Sequence, residues 1–396
     1  MTSRSALALL CLVVVCGMSP WFATAAVLTD MAREGGFGHA RQALLSSGVQ
    51  AGFVIGALIS AMLGLSDRFD PRRVMACAAL MNAIATAGLF LVPLGSDAAI
   101  GLRVIAGAGF AGIYPPGMKI AVGWSRRQRG LVVGLLVGAL TFGSALPYLF
   151  AWWGAAEWRP VVAAASLASA CAAIGSFAMR LGPHHARAAA FSPRAIRLMW
   201  TDQRVRSATG GYLGHMWELY AMWGWIGAAA AAGYAQRIPP EQAQQLAALT
   251  AFLAISTGAL FCAPAGLLAD RIGKAPVSAM AMLGSGSMAV AVALCFGGPV
   301  WLSFLLILCW GALIIPDSAQ FSAIIADAAP PEAAGSLMAM QTALGFALSI
   351  VTVQITPVIA AWLGWPGALA LMALGPTFGI AALRPLLAKR QVQGSP

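Results

Sequence analysis

Charged side chains are scarce in this chain. Only 9% of its 396 residues are charged and 60% are apolar, which gives a mean hydropathy of +0.81. A water-soluble protein carries about 25% charged residues, which cover its surface. Lipid must therefore solvate much of this surface, and the length left outside long apolar runs is too short for a separate soluble domain.

The sequence also lacks the common catalytic motifs. It has no Walker phosphate-binding loop, no H-E-x-x-H zinc motif and no G-x-S-x-G nucleophile motif. Its seven cysteines all lie inside apolar runs without C-x-x-C spacing, which indicates small apolar side chains and not a disulfide framework. We therefore expect no enzyme activity, no cofactor and no metal site.

Hydropathy predicts an all-α integral membrane protein of twelve transmembrane helices. The predicted spans are roughly 5–27, 42–65, 74–94, 98–120, 131–153, 160–180, 207–233, 243–268, 276–297, 299–325, 336–362 and 366–386. They fall into two pseudo-symmetric six-helix bundles. The corresponding parts are an N-terminal half, a linker loop, a C-terminal half and a tail, at 1–180, 181–206, 207–386 and 387–396.

The distribution of Lys and Arg predicts the orientation. Nineteen of the 24 lie in the segments that share a side with the N-terminus, four lie in the opposite loops, and Arg103 lies within a span. Because such residues collect on the inner side, we expect a bacterial inner-membrane protein with both termini cytoplasmic. An alternative is a signal peptide over 1–25 with cleavage after Ala25, but the apolar run continues to Leu28. We expect the segment to be retained as the first span.

A short motif occurs twice, each time after the second span of a half. The first copy is Gly64-Leu65-Ser66-Asp67-Arg68-Phe69-Asp70-Pro71-Arg72-Arg73, and the second is Gly266-Leu267-Leu268-Ala269-Asp270-Arg271-Ile272-Gly273-Lys274. Asp67 and Asp270 are 203 residues apart. Internal duplication of this kind is typical of secondary transporters.

The repeated motif resembles the cytoplasmic loop motif G-x-x-x-D-R-x-G-R/K of the major facilitator superfamily. The second copy matches closely, whereas in the first copy Gly64 lies one place too near the acid and Asp70 stands where glycine is usual. The resemblance implies that the acid and the arginine hold the two halves together in one state and release them in another. The residues concerned are Asp67, Arg68, Asp270 and Arg271. The alternative is that they only form tight turns.

Span four carries a second similarity, Arg103-x-x-x-Gly107-x-Gly109-x-x-Gly112. Arg103 resembles an arginine that many proton-coupled members of the superfamily carry. The alternative is a side chain near the outer interface that reaches to water. The G-P-x-x-G-G stretch of the superfamily's proton antiporters does not occur in span five, which disfavours a drug-efflux antiporter.

Span seven places four side chains on one face. His215, Glu218, Met222 and Trp225 fall within about 80° when each residue turns the helix by about 100°. A histidine and a glutamate one turn apart in an apolar site can share a proton, because each shifts the pKa of the other. The alternative is a structural His–Glu hydrogen bond.

The other polar residues inside spans are also candidates, because a charge at the bilayer centre costs about 2.5–3.5 kcal/mol or more. Asp317 in span ten follows Pro316, and it either carries a proton or caps a helix break. Cavity candidates on spans ten and eleven are Gln320, Gln341 and Thr352. We expect Asp30 and Glu34, at the outer end of span one, to be solvated.

These patterns predict a secondary active transporter of a small solute that works by alternating access. The expected coupling groups are Glu218 with His215, or Arg103 with Asp317. The expected partners are the solute, protons and the lipid bilayer, with the monomer as the functional unit and no nucleic acid, because the positive residues form short clusters between apolar runs. One alternative is a receptor or interaction protein that retains the transporter fold. A membrane-embedded lipid enzyme would need a nucleophile or metal cluster that the sequence lacks.

Overall fold

The computed structural model describes residues 3–124, 129–154, 157–183 and 196–393, and every regular element in these ranges is a helix. The first half contains α1 (Ser3–Met18), α2 (Leu28–Gly35), α3 (His39–Leu63), α4 (Leu65–Arg68), α5 (Pro71–Ala87), α6 (Asp97–Phe110), α7 (Tyr114–Val122), α8 (Arg129–Trp153) and α9 (Trp158–Ala178). The predicted all-helical architecture is confirmed for the described residues.

The second half is helical as well. It contains α10 (Leu198–Thr201), α11 (Gln203–Tyr234), α12 (Pro240–Ile272), α13 (Lys274–Leu294), α14 (Val300–Ile314), α15 (Ser318–Ala328), α16 (Pro331–Met372) and α17 (Leu374–Gln393). Helix α11 begins four residues before the predicted 207. The reason is an N-cap, because the Asp202 carboxylate accepts hydrogen bonds from the backbone N–H groups of Arg204 and Val205 at 2.8 and 3.0 Å.

Nine helical stretches of the described chain are long and apolar enough to cross a membrane. They are His39–Leu63, Pro71–Phe90, Asp97–Val122, Val132–Trp153, Trp158–Ala178, Pro240–Ile272, Lys274–Leu294, Val300–Ala328 and Ala333–Ala388. The last stretch bends at Gly364, where φ is +71°. Helix α11 is not among the nine, and Arg4–Met18 is a shorter apolar helix. The number twelve therefore stays a prediction.

Three of the predicted spans are interrupted. The first has turns at 19–24 between α1 and α2, the fourth has a turn at 111–113 between α6 and α7, and the tenth breaks at 315–317 between α14 and α15. Pro20 and Pro316 lie in two of these breaks, and proline has no backbone N–H to continue a helix. In a membrane protein, the backbone groups freed at a break need partners inside the protein.

Small residues allow neighbouring helices to approach closely. Within the first half, a methyl group at Gly52 of α3 would lie 1.9 Å from the Val104 carbonyl oxygen of α6, and one at Gly107 would lie 2.1 Å from the Val49 carbonyl oxygen. Backbone therefore contacts backbone between α3 and α6.

Between the halves, α8 packs against α12 and α3 packs against α16. These four long helices thus form a large part of the contact between the first and the second half of the chain.

The acids at the end of the first span differ from expectation. Asp30 is buried, because its carboxylate accepts a hydrogen bond from the backbone N–H of Trp158 at 2.9 Å and pairs with Arg33 at 2.5 Å. Glu34 pairs with Arg159 at 2.6 Å and accepts from the Trp158 indole at 2.8 Å. These contacts fasten α2 to the start of α9, so neither acid is simply solvated.

Candidate functional site

The break in the first span is held by the arginine of the fourth span. Arg103 Nη2 donates to the backbone carbonyl oxygens of Pro20 at 3.0 Å and Trp21 at 2.7 Å. The Arg103 side chain is 0% exposed, so it does not reach to water at the outer interface, which corrects that alternative. A buried guanidinium needs hydrogen-bond acceptors, and the turn in the first span supplies two of them.

Next to this turn, eight rings from both halves form an inter-half aromatic cluster, which consists of Trp21, Phe22, Phe53, Phe110, Tyr148, Tyr220, Trp223 and Phe346. Across the interface, the ring centroids of Trp21 and Tyr220 are 5.7 Å apart, and those of Phe53 and Phe346 are 4.3 Å apart. The Tyr148 hydroxyl also donates to the Trp223 carbonyl oxygen at 2.5 Å. The rings therefore meet where the halves join.

Sequence reasoning did not identify this cluster. A signal was present, since Pro20-Trp21-Phe22 places a helix breaker and two large rings inside an apolar run. The three-dimensional contacts of Tyr148 and Phe346 had no comparable signal, because an aromatic residue in a membrane helix has the same local pattern whether it faces lipid or another helix.

A buried carboxylate lies within the second half. Glu218 of α11 is 1% exposed. One carboxylate oxygen accepts from Ser285 Oγ of α13 at 2.8 Å, and the other accepts from Trp310 Nε1 of α14 at 2.8 Å. Both donors are neutral, and among the described residues no cation pairs with Glu218, so the charge of an ionised carboxylate would be only partly compensated here.

The histidine of the same helix has a different partner. His215 Nδ1 lies 2.8 Å from Asp317 Oδ1, with both side chains buried, although the two atoms are not aligned as a hydrogen bond. The structure therefore differs from the expected His215–Glu218 pair. His215 and Glu218 are about 4.5 Å apart along the axis of α11. At these two levels they contact different residues, Asp317 in one case and Ser285 and Trp310 in the other.

Asp317 lies at the break between α14 and α15. It occupies the N-cap position of α15, but its side chain makes no capping hydrogen bond. The carboxylate of Asp317 therefore does not cap the helix, and it faces His215 instead. A helix break, a carboxylate and an imidazole thus meet at one point inside the second half.

The remaining cavity candidates join helices of the second half. Trp225 Nε1 donates to the Val353 carbonyl oxygen at 2.9 Å, and Gln341 Nε2 donates to the Ala208 carbonyl oxygen at 3.3 Å, so both bonds link α11 to α16. Thr352 donates within its own helix to the Ser349 carbonyl oxygen at 3.1 Å. Met222 and Gln320 are buried as well. Their hydrogen-bonding groups are mostly engaged by the protein itself.

The sequence model of the Major Facilitator Superfamily matches residues 9–352. The chain belongs to the Major Facilitator Superfamily. A comparison with curated proteins finds no match.

Solved transporters of this superfamily share the fold. The xylose transporter XylE from E. coli, in a partially occluded inward-open conformation, superposes with a TM-score of 0.71 at 13% identity over 96% of each chain. The nucleoside transporter NupG gives 0.72 at 14% identity over 97% of this chain and 99% of that one. The E. coli fucose:proton symporter FucP gives 0.68 at 12% identity over 97% and 99%.

The superfamily loop motif has a different helix cap in each half. In the first copy Asp70 is the N-cap of α5, and it accepts from the backbone N–H of Arg72 at 2.9 Å and pairs with the Arg72 side chain at 2.7 Å. In the second copy Gly273 has a φ of +88°, which favours glycine. The departure of the first copy from the superfamily pattern is thus explained, because a carboxylate cap replaces the glycine.

The motif residues differ in how much of them the structure describes. Asp67 lies in α4, but its side chain is outside the described part of the structure. Arg68, Asp270 and Arg271 are exposed at helix ends. Beside them, Lys274 at the start of α13 pairs with Asp327 of α15. The gating role of the motif stays a prediction.

Proposed function

We propose that this chain carries a small solute across a bacterial inner membrane by alternating access, coupled to protons. The observation that carries the proposal is the environment of Glu218, a carboxylate that is 1% exposed inside membrane-embedded helices and has only neutral hydrogen-bond donors. A carboxylate of this kind is expensive to ionise in an apolar environment, so a change in its surroundings changes whether it holds a proton.

The second element of the proposal is the His215–Asp317 contact at the break of the tenth span. An imidazole titrates near neutral pH, and its charge favours the ionised form of a neighbouring carboxylate. The break allows α15 to move relative to α14. We propose that protonation here biases the arrangement of α15 and thereby the inner end of the second half.

We also propose twelve crossings with both termini in the cytoplasm. Gly364 divides the longest apolar stretch into two crossings, α11 is 32 residues long, and α1 together with α2 provides the first crossing. A reporter fused after Trp200 and one fused after the C-terminus are both expected to report the cytoplasm, whereas one fused after Arg237 is expected outside. An external signal at either of the first two positions would contradict this arrangement.

The conformation supports a two-state interpretation. Side-chain hydrogen bonds cross between the halves from Tyr148 to Trp223, from Gln354 to Ser47 at 3.2 Å, and from Gln245 to Trp152 at 3.3 Å. In the proposed orientation, these bonds lie toward the outer ends of their helices. We therefore interpret this conformation as closed toward the outside, and transport requires a second one in which these contacts separate.

A distance measurement tests alternation without knowledge of the solute. Spin labels are placed on a background without native cysteines, one pair at Trp153 and Trp362 on the outer ends and another at Phe69 and Leu267 on the inner ends. Electron–electron resonance is expected to show two distance populations for each pair, exchanging in opposite directions as pH changes. A single, pH-independent distance for both pairs would favour the non-transporting receptor.

Proton coupling is tested with Glu218→Gln and, as a matched control, Glu241→Gln, which changes an exposed acid at the start of α12. Glu218→Gln is expected to abolish the pH response of both distance pairs, and Glu241→Gln is expected to retain it. In proteoliposomes, Glu218→Gln should lose proton-driven accumulation but keep exchange of solute down its gradient. A normal pH response in Glu218→Gln would place the coupling elsewhere, with His215 and Asp317 tested next.

A further inference from the structure

The inter-half aromatic cluster contains hydrogen-bond donors that have no partner. The indole N–H groups of Trp21 and Trp223 are buried and unpaired, and so are Nε and Nη1 of Arg103. Most buried polar groups in proteins are hydrogen-bonded, so each exception calls for an explanation. Here the unpaired groups belong to one region, because Arg103 binds the backbone of Trp21 and both indoles contact the same two rings, Phe22 and Tyr220.

The charge of this region is positive and uncompensated. The guanidinium of Arg103 contacts two neutral carbonyl groups and, among the described residues, forms no ion pair. Of the buried acids, Glu218 accepts hydrogen bonds from Ser285 and Trp310, and Asp317 faces His215, so both have their contacts within the second half. A buried cation without a counter-ion is unfavourable, and an anionic ligand would relieve it.

Two carboxamide side chains near the interface are already bonded to the protein. Gln354 donates to Ser47, and Gln341 is bonded to Ala208 and Ser322. A polyhydroxylated solute presents about as many donors as acceptors and needs both kinds of partner. The cluster offers donors, so it matches a solute that brings acceptor oxygens.

The walls of the region select for shape. Rings approach from both halves with interplanar angles between 31° for Phe22 and Tyr220 and 80° for Phe22 and Trp223. Aromatic faces and edges of this kind pack favourably on a planar apolar solute. In the present conformation the rings contact one another directly, so a solute enters only when the halves separate.

From these observations we infer that the solute is a planar aromatic carboxylate. Its ring packs between the faces of the inter-half aromatic cluster, and its carboxylate receives hydrogen bonds from the indoles of Trp21 and Trp223 and from Arg103. This inference rests on the proposed transport function and specifies its substrate class.

The test measures binding to the purified full chain in nanodiscs by isothermal titration calorimetry. The probes are benzoate and 2-naphthoate, with benzamide as the uncharged planar control and cyclohexanecarboxylate as the non-planar anion. Benzoate or 2-naphthoate is expected to bind saturably, benzamide at least tenfold more weakly, and cyclohexanecarboxylate several-fold more weakly than benzoate. Absence of saturable binding by both aromatic carboxylates, or equal affinity for benzamide, overturns the inference.

Trp21→Phe and Trp223→Phe keep an aromatic ring and remove only the N–H donor. Each is expected to lower the affinity for the aromatic carboxylate by about tenfold, since a hydrogen bond to a charged group is lost. The matched control is Trp301→Phe, because Trp301 is 68% exposed, and it should bind like the parent protein. Unchanged affinity in both cluster variants overturns the inference and makes the cluster only a hydrophobic closure between the halves.

The outcome is separable from that of the proposed function. If the pH-dependent distance changes occur but neither carboxylate binds, alternating access is supported and this substrate class is wrong. If the carboxylates bind but the distances between the spin labels do not change with pH, the binding site is supported and the proposed transport is contradicted.

Discussion

Arg103 Nη2 donates to the carbonyl oxygen of Trp21 at 2.7 Å, and this bond joins the fourth span to the non-helical turn of the first. The same nitrogen also binds the Pro20 carbonyl oxygen. A turn that would leave the Trp21 carbonyl oxygen unpaired inside the protein is thereby stabilised, and the ring of Trp21 contacts Tyr220 and Phe346 of the other half. One arginine thus supports both the break and the interface.

Arg103→Met should loosen this turn. The Trp21 carbonyl oxygen loses its partner, at about 1–3 kcal/mol for a buried group. The Pro20 carbonyl oxygen keeps the hydrogen bond from the Ala23 N–H, and the cost of burying the cation is recovered. The change in global stability is therefore small, and the expected effect of Arg103→Met is confined to the turn of the first span. We expect amide hydrogen exchange at Trp21 and Ala23, whose N–H groups bond within the turn, to be about tenfold faster in Arg103→Met.

Arg103→Lys is the matched variant, because it keeps the charge and one donor toward the turn. Its exchange rates should lie between those of the parent and Arg103→Met. Equal protection in all three proteins would show that the turn is stable without the arginine.

Gly107→Ala should destabilise the first half. The added methyl group would lie 2.1 Å from the Val49 carbonyl oxygen, where backbone cannot yield easily. Overpacking of this kind costs about 1–3 kcal/mol, which lowers the melting temperature in detergent. Gly101→Ala on the same helix meets no atom within 4 Å and should melt at or above the parent temperature. Equal melting of the two variants would argue against close contact between α3 and α6.

Asp70→Ala should weaken the start of α5 by about 0.5–2 kcal/mol, the usual range for a lost N-cap. The side-chain hydrogen bonds from Arg72 hold the pKa of Asp70 below its ordinary value. The charged contact is therefore fully present above the unfolded-state pKa of about 3.9 and is lost as pH falls through the lower folded-state pKa. The difference between parent and variant should be constant near neutral pH and shrink below about pH 4.

Asp70→Asn separates the cap from the charge. An amide still caps the helix but does not titrate in this range, so this variant should be milder than Asp70→Ala near pH 7. Chemical denaturation in detergent at several pH values measures all three proteins. A parent-to-Ala difference that grows as pH falls would reverse the predicted sign.

Asp270→Asn tests the loop motif. A neutral amide keeps the shape but removes the charge, so a contact that closes the inner side should weaken. For the Phe69–Leu267 label pair, we expect the ratio of separated to close inner ends to rise about tenfold, which corresponds to about 1.4 kcal/mol. Asp97→Asn, at an 89% exposed carboxylate on the side that we propose to be the outer one, is the control. An unchanged ratio in Asp270→Asn would leave the motif with a turn-forming role only.

The sequence alone determined the helices and the family. Hydropathy is a local property, because each span must be apolar over its own length, and the helix ends of Trp158–Ala178 and Lys274–Leu294 lie within three residues of the predicted bounds. The motif ending in Asp270-Arg271-Ile272-Gly273-Lys274 identified the superfamily in the same local way.

Only the tertiary structure decided which buried groups meet. Glu218 and His215 share one face of α11, and the sequence therefore predicts that they interact. Instead Ser285 and Trp310 bind Glu218, and Asp317 faces His215. Partners of this kind depend on the depth and rotation of neighbouring helices, which are set by contacts such as that of Gly214 in α11 with Gly375 in α17. Such contacts join residues far apart in the chain, so no local pattern encodes them.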